Sequence, residues 1–192
     1  MADTSDFRNG LSIVWNGDLF TIVEFQHVKP GKGGAFVRTK LRNVRSGKIL
    51  DNTFRSGERV ETARIERRPH QYLYQDDLGL HFMNTETYEQ FSLPTTAVQG
   101  REFVKEGGMI DILYHAETDK PVATEIPGKV DLKVVETDPG FRGDTATGGS
   151  KPARVESGAN VNVPLFIEEG DVITVNTATG EYVTRVSTAG RG

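Results

Sequence analysis

Short runs of alternating apolar and polar residues occupy almost the whole chain, each closed by a glycine, a proline or an Asn-Gly type turn. The period is that of strands, not helices. Leu11–Trp15 is followed by Asn16-Gly17-Asp18, a hairpin turn signal because Asn and Gly tolerate positive φ. Further runs follow at Leu19–Val28, Ala35–Val44, Lys48–Leu50 and Arg59–Arg64. Five or so short strands in about 60 residues predict a small SH3-like barrel. Next come runs at Tyr72–Gln75, Leu78–Met83, Tyr88–Leu93, Met109–His115 and Val122–Ile126, with only Gln99–Gly107 reading as a short helical turn. This second set predicts an OB-type barrel. The last third repeats the pattern at Val130–Glu136, Lys151–Val155, Asn160–Phe166, Asp171–Asn176 and Tyr182–Val186, with a long Gly/Thr loop from Asp138 to Ser150. Boundaries are expected at Glu66–His70 and at Pro127-Gly128, and residues 187–192 are expected to fray. The expectation is an all-β chain of three small barrels in series, residues 1–65, 66–127 and 128–192.

Composition agrees with small cores. Hydrophobic residues make up 36% of the 192, low for one large core and suited to several highly exposed ones. There is no cysteine, which excludes disulfides and thiolate metal sites. The first ten residues are polar, and no apolar run nears the roughly 18–20 residues a bilayer span needs. A cytoplasmic protein without membrane contact is expected.

The net charge of −4 is unevenly spread: residues 1–64 carry +4, residues 65–127 carry −6 and residues 128–192 carry −2. Only the first third is suited to approach phosphates closely. Between Glu24 and Asp51 there are seven basic residues and no acid. In their midst lies Lys29-Pro30-Gly31-Lys32-Gly33-Gly34. A lysine bracketed by glycines between two strand-like runs reads as a side chain lifted on a hairpin tip and presented to a polyanion. In the following strand Ala35, Val37, Thr39 and Leu41 share one face and Phe36, Arg38, Lys40 and Arg42 the other. The plain alternative is an ordinary solvated strand face; the single sign of charge over the neighbouring residues favours a binding face.

Catalytic patterns are missing. His27, His70, His81 and His115 lack metal-ligand spacing. Gly31-Lys32-Gly33 lacks the glycine spacing, the following Ser/Thr and the helix of a phosphate-binding loop. A Schiff-base lysine needs desolvation, which a glycine-flanked tip does not give; the same exposure suits a lysine modified by another enzyme. Neither an active site nor a cofactor is expected. Gly143-Asp144-Thr145 lies in the long third-domain loop. Its residues could hydrogen-bond base edges or a 2′-hydroxyl, or could simply close a turn on their own backbone.

Several ordered motifs carry a resemblance. Asp6-Phe7-Arg8-Asn9-Gly10 and Glu24-Phe25-Gln26-His27-Val28-Lys29-Pro30-Gly31-Lys32-Gly33, then Tyr72-Leu73-Tyr74, Phe82-Met83-Asn84 and Glu86-Thr87-Tyr88-Glu89-Gln90, are followed by Lys151, Ala153, Gly158, Val161, Val163-Pro164, Ile167 and Gly170. Over essentially its full length the chain resembles the bacterial elongation factor P family. Ser157 stands where that family's pattern has Thr, a mild departure. The resemblance implies a KOW/SH3-like barrel and two OB barrels in a tRNA-like shape. It implies a monomer that binds the 70S ribosome between the peptidyl-tRNA and exit-tRNA sites and promotes peptide-bond formation at consecutive-proline stalls. Lys32 takes the place of the family's tip residue, the target of a lysine-modifying enzyme; a lysine there disfavours the arginine-glycosylating branch. Lys29, Pro30, Gly31, Lys32, Gly33, Arg38, Lys40 and Arg42 would contact peptidyl-tRNA, and Gly143, Asp144 and Thr145 the mRNA codon in the exit site. The alternatives are a diverged paralogue of that family and a generic single-strand-binding OB protein. The second expects aromatic platforms along a continuous basic groove, against which the acidic middle third argues.

Overall fold

The computed structural model describes residues 1–139 and 149–188. Gly143, Asp144 and Thr145 lie outside the described residues, as do residues 189–192 of the terminus expected to fray. The described residues form an all-β structure of three sheets with a few single helical turns.

The first sheet holds β1 (Ala2–Asp3), β2 (Ser12–Trp15), β3 (Asp18–Val28), β4 (Phe36–Asn43), β5 (Ile49–Arg55) and β6 (Arg59–Thr62), in the order β1-β6-β2-β3-β4-β5. Asn16 and Gly17 join β2 to β3 with φ of 51° and 79°, the paired left-handed conformation that a two-residue hairpin requires. The sheet wraps a core of Phe7, Ile13, Phe20, Ile22, Val37, Leu41, Phe54 and Val60. Phe7 meets Phe54 edge to face at 5.3 Å, the geometry favoured by ring quadrupoles.

The second sheet holds β7 (Ile65–Asp76), β8 (Gly79–Asn84), β9 (Gln90–Leu93), β10 (Met109–His115) and β11 (Lys120–Glu125), in the order β11-β10-β7-β8-β9. Gly79 has φ of 133°, and a Cβ there would lie 2.1 Å from Leu93 O, so only glycine fits. The third sheet holds β12 (Lys129–Thr137), β13 (Ser150–Val155), β14 (Asn160–Pro164), β15 (Val172–Asn176) and β16 (Glu181–Ser187), in the order β14-β13-β12-β15-β16. Its edge strands β14 and β16 meet, closing it on itself.

By compactness the chain divides into residues 1–68 with 112–124, and residues 69–111 with 125–192. Within the second of these units the turn Arg101–Phe103 delivers Phe103 into the core of the third sheet, among Leu132, Val163 and Ile173. Ser157 Oγ donates to Glu102 O at 2.6 Å. Lys105 Nζ donates to Asp131 O at 3.1 Å and pairs with Glu156 at 3.0 Å. Among the described residues, no helix is long and apolar enough to cross a membrane.

Several elements differ from the pattern-based expectation. Glu66–His70, whose charges and proline read as a boundary, is not a break in strand structure but lies inside β7, and the division by compactness falls within it, between Arg68 and Pro69. Pro69 precedes the first β7–β8 pair, His70↔Asn84, so that ladder asks no N–H of it. β5 runs well past Lys48–Leu50 to Arg55. Tyr88 and Glu89 belong to a turn, and β9 begins at Gln90. The helical stretch of Gln99–Gly107 shrinks to the single turn Arg101–Phe103.

Phe103→Ala should cost about 3–5 kcal/mol, the usual range for emptying an aromatic site in a core. Urea unfolding followed by circular dichroism would show it; a loss under about 1 kcal/mol would mean that the ring is not part of that core.

Candidate nucleic-acid interface

The hairpin of β3 and β4 builds the site. Every pair from Val28↔Phe36 through His27↔Val37, Gln26↔Arg38 and Phe25↔Thr39 to Glu24↔Lys40 is equidistant from residue 32. Lys32 is therefore the geometric centre of the loop, and residues 29–34 are all exposed. Gly33 has φ of 105°, which explains its identity. A Cβ at Gly31 or Gly34 would meet nothing within 4 Å, and neither has left-handed φ. The loop's own conformation thus accounts for one glycine of three. The other two leave the loop on either side of the lysine without side chains.

Alternation in β4 follows the expected pattern: Val37, Thr39 and Leu41 are buried, and Arg38, Lys40 and Arg42 are exposed. Thr39 satisfies its buried hydroxyl by donating to Asn52 O at 3.0 Å. Phe36 lies partly beneath Arg38, whose guanidinium carbon is 5.6 Å from the ring centroid, within cation–π range.

The three exposed cations are not equivalent. Lys40 stands between Glu24 on β3 and Asp51 on β5, the two acids that bound the acid-free stretch. Its Nζ lies 3.0 Å from Glu24 Oε2. The hydrogen bond that Lys40 donates to Glu24, together with that carboxylate's charge, raises the Lys40 ammonium above the ordinary lysine value, with a further contribution from Asp51. A raised value means that any pairing contribution is full below the unfolded-state value and fades only as pH climbs through the raised one. The pair therefore persists across neutral pH and weakens with salt, as exposed pairs do. Arg38 instead faces Gln26 and Thr53, and Arg42 faces Thr21 and Ile49. Their cross-strand neighbours are neutral, so their charge reaches outward.

A bulge makes this arrangement possible. The register of β3 shifts between Ile22, opposite Leu41, and Glu24, opposite Lys40. Two positions apart, these residues would share a face in a regular strand; the extra residue Val23 turns one inward and the other outward. Residue-by-residue reading missed Glu24 and Asp51 as neighbours of Lys40. Counting outward from Lys32 along both strands would have found Glu24.

The structure thus gathers Lys29 to Gly33 at the tip and Arg38, Lys40 and Arg42 along the adjoining strand. Gly143, Asp144 and Thr145 cannot be placed against them, being outside the described residues. Among the described residues no group of three or more His, Asp or Glu is placed to hold a metal ion. The arrangement offers positive charge, a slender primary amine and no neighbouring acid–base pair at the tip. Such a surface has the chemistry suited to phosphate and sugar and none for reading sequence.

Three family models match in turn: the elongation factor P KOW-like domain over residues 3–60, the elongation factor P OB domain over residues 65–123, and the elongation factor P C-terminal domain over residues 130–185. The chain is 63% identical over 189 residues to elongation factor P of Salinibacter ruber, covering 98% of each. It is 54% identical to elongation factor P of Amoebophilus asiaticus, over 98% of this chain and 99% of that protein. With elongation factor P of Moorella thermoacetica it shares 53% identity, over 96% of this chain and 100% of the other. A solved structure of eukaryotic translation initiation factor 5A from Methanococcus jannaschii shares the fold at 24% identity and a TM-score of 0.50, over 66% of this chain and 90% of that one.

The charge environments predict a ranking. In salt titrations of binding to a tRNA probe, Arg38→Gln or Arg42→Gln should lower the slope of log affinity against log salt by about one each. Lys40→Gln should change it by clearly less, because Glu24 and Asp51 already answer that charge. Equal effects at all three positions would contradict the ranking.

Proposed function

The chain belongs to the elongation factor P family and is a translation elongation factor; from that premise we propose that it binds the ribosome beside peptidyl-tRNA and promotes peptide-bond formation where consecutive prolines stall it. The observation that carries this reading is the placement of Lys32, exposed at the centre of a hairpin whose register is symmetric about it. Residues 1–65, 66–127 and 128–192 serve as its three domains, and it acts as a monomer in the cytoplasm.

The mechanism is positioning. Proline is a poor nucleophile, and its ring strains the nascent chain. Holding the acceptor end of peptidyl-tRNA in a near-attack geometry removes an entropic cost and can lower a barrier by several kcal/mol. No proton transfer by the factor is needed, and the exposed tip provides no apolar wall that would tune Lys32 for covalent catalysis. The protein is in this reading not an enzyme. Lys29, Arg38 and Arg42 hold phosphate and sugar, Pro30, Gly31 and Gly33 give the tip a thin profile, and Lys40 contributes contact more than net charge. A lysine-modifying enzyme extends Lys32, and that enzyme also benefits from the bare glycines on either side. Gly143, Asp144 and Thr145 contact the mRNA codon in the exit site, which accounts for a Gly/Asp/Thr sequence in that long loop.

Lys32→Ala should leave the melting temperature within the small range of surface substitutions. It should reduce the yield of a reporter containing three consecutive prolines to the factor-free level in a reconstituted translation system. Full stimulation by the alanine variant would remove Lys32 from the mechanism.

A further inference from the structure

The turn between β8 and β9 holds a residue that its backbone does not favour. Tyr88 has φ of 61° and is 71% exposed. The other non-glycine residues with positive φ among those described are Asn16 and Asp119, types whose short polar side chains suit the left-handed region. A bulky aromatic residue there is strained. Its ring makes no aromatic contact among the described residues and gives the core nothing in return.

The turn is held by other groups. Tyr88 N–H donates to Asn84 O at 2.9 Å, and Asn84 N–H donates to Glu89 O at 2.9 Å. Asn84 Oδ1 accepts from the N–H groups of Glu86 at 2.8 Å and Thr87 at 3.1 Å. Glycine at position 88 would keep all four bonds and relieve the backbone. The fold therefore explains the turn but not the ring. Strain held in place at an exposed point marks a functional surface.

The charges around the ring identify the kind of partner. From Pro69 to Gly100 the chain has no Lys or Arg and four acids, Asp76, Asp77, Glu86 and Glu89. Glu86 and Glu89 flank Tyr88, are exposed, and form no ion pair among the described residues. This stretch is the electrical opposite of residues 25–50, with seven cations and no acid. A phosphate backbone would be repelled from it. We infer that the β8–β9 turn, with Tyr88 exposed on its returning leg between Glu86 and Glu89, docks a basic protein segment. The ring receives an arginine or lysine cation on its face, and the carboxylates flank that cation. Tyrosine and arginine are the residue types that dominate binding energy at protein interfaces. The inference rests on the proposed ribosome binding, since a ribosome presents basic protein surfaces beside its RNA.

The test uses the full chain and purified bacterial 70S ribosomes. A photoreactive benzoylphenylalanine replaces Tyr88, the complex is irradiated, and the adduct is identified by mass spectrometry. The expected adduct is on a ribosomal protein, at a segment rich in Arg and Lys. In binding assays Tyr88→Gly, and separately Glu86→Lys with Glu89→Lys, should weaken affinity about tenfold or more. Tyr88→Gly should unfold in urea no earlier than the unsubstituted chain. An adduct on RNA, or none from a bound protein, would overturn the inference. So would unchanged affinity in both variants, or a Tyr88→Gly protein that unfolds early, which would assign the ring a structural role. Should the unsubstituted protein fail to sediment with ribosomes, the proposed function falls and this inference with it.

Discussion

The pairing of β3 with β4 sets the position of every group on the amino-terminal face. Its ladder is centred on residue 32, so the tip residue and the order of the side chains behind it follow from one register. A slip by one residue would turn Arg38, Lys40 and Arg42 toward Ile13 and Phe54 in the core and expose Val37 and Leu41. Burial of that core therefore fixes the register, and the register fixes the tip. The bulge at Val23 resolves the remaining conflict, since Ile22 belongs inside and Glu24 outside.

Charge is arranged on this frame with the same economy. The acid-free stretch of residues 25–50 ends at the two acids that fold back onto Lys40, so the middle of the cation row is balanced while Arg38 and Arg42 project charge. An exposed field of this kind steers a polyanion and loses strength with salt. The cation-free stretch of residues 69–100 does the reverse. A protein with net charge −4 can approach RNA if its repulsive residues and its attractive ones lie in separate segments, and the sequence keeps them separate.

Much of this was legible along the chain. The Asn16-Gly17 turn, the alternation in β4 and the exposure of the Lys32 tip all follow from local rules of turn conformation and strand period. What escaped depends on neighbours distant in sequence. Proline and charge at Glu66–His70 are local signals for a break in strand structure, yet β7 continues through them on the strength of sheet pairing. Asp51 reaches Lys40 only through the β4–β5 register, which is set by a turn in which Asn43 Oδ1 accepts from the N–H groups of Arg45 and Ser46. Phe103 shows no pattern of its own; its core lies in the third sheet. Lys151 falls on the inward face of β13, where a charge is not anticipated, and is satisfied there by donating to Asp138 O at 2.6 Å.

The glycines around Lys32 and the tyrosine at position 88 are departures of opposite kind from what their backbones require. Gly31 and Gly34 sit where a side chain would be tolerated; glycine there adds to the conformational entropy lost on ordering the loop. Tyr88 sits where glycine would be preferred, at a cost in strain. Neither choice improves the isolated fold, so each is explained by something the fold must meet. A tip stripped of side chains suits insertion beside a partner that leaves little room. A ring raised on a rigid turn suits capture by a partner that brings a cation. A residue that disagrees with its own backbone is thus a better pointer to an interface than one that is merely exposed, because exposure has no energetic consequence and disagreement has one.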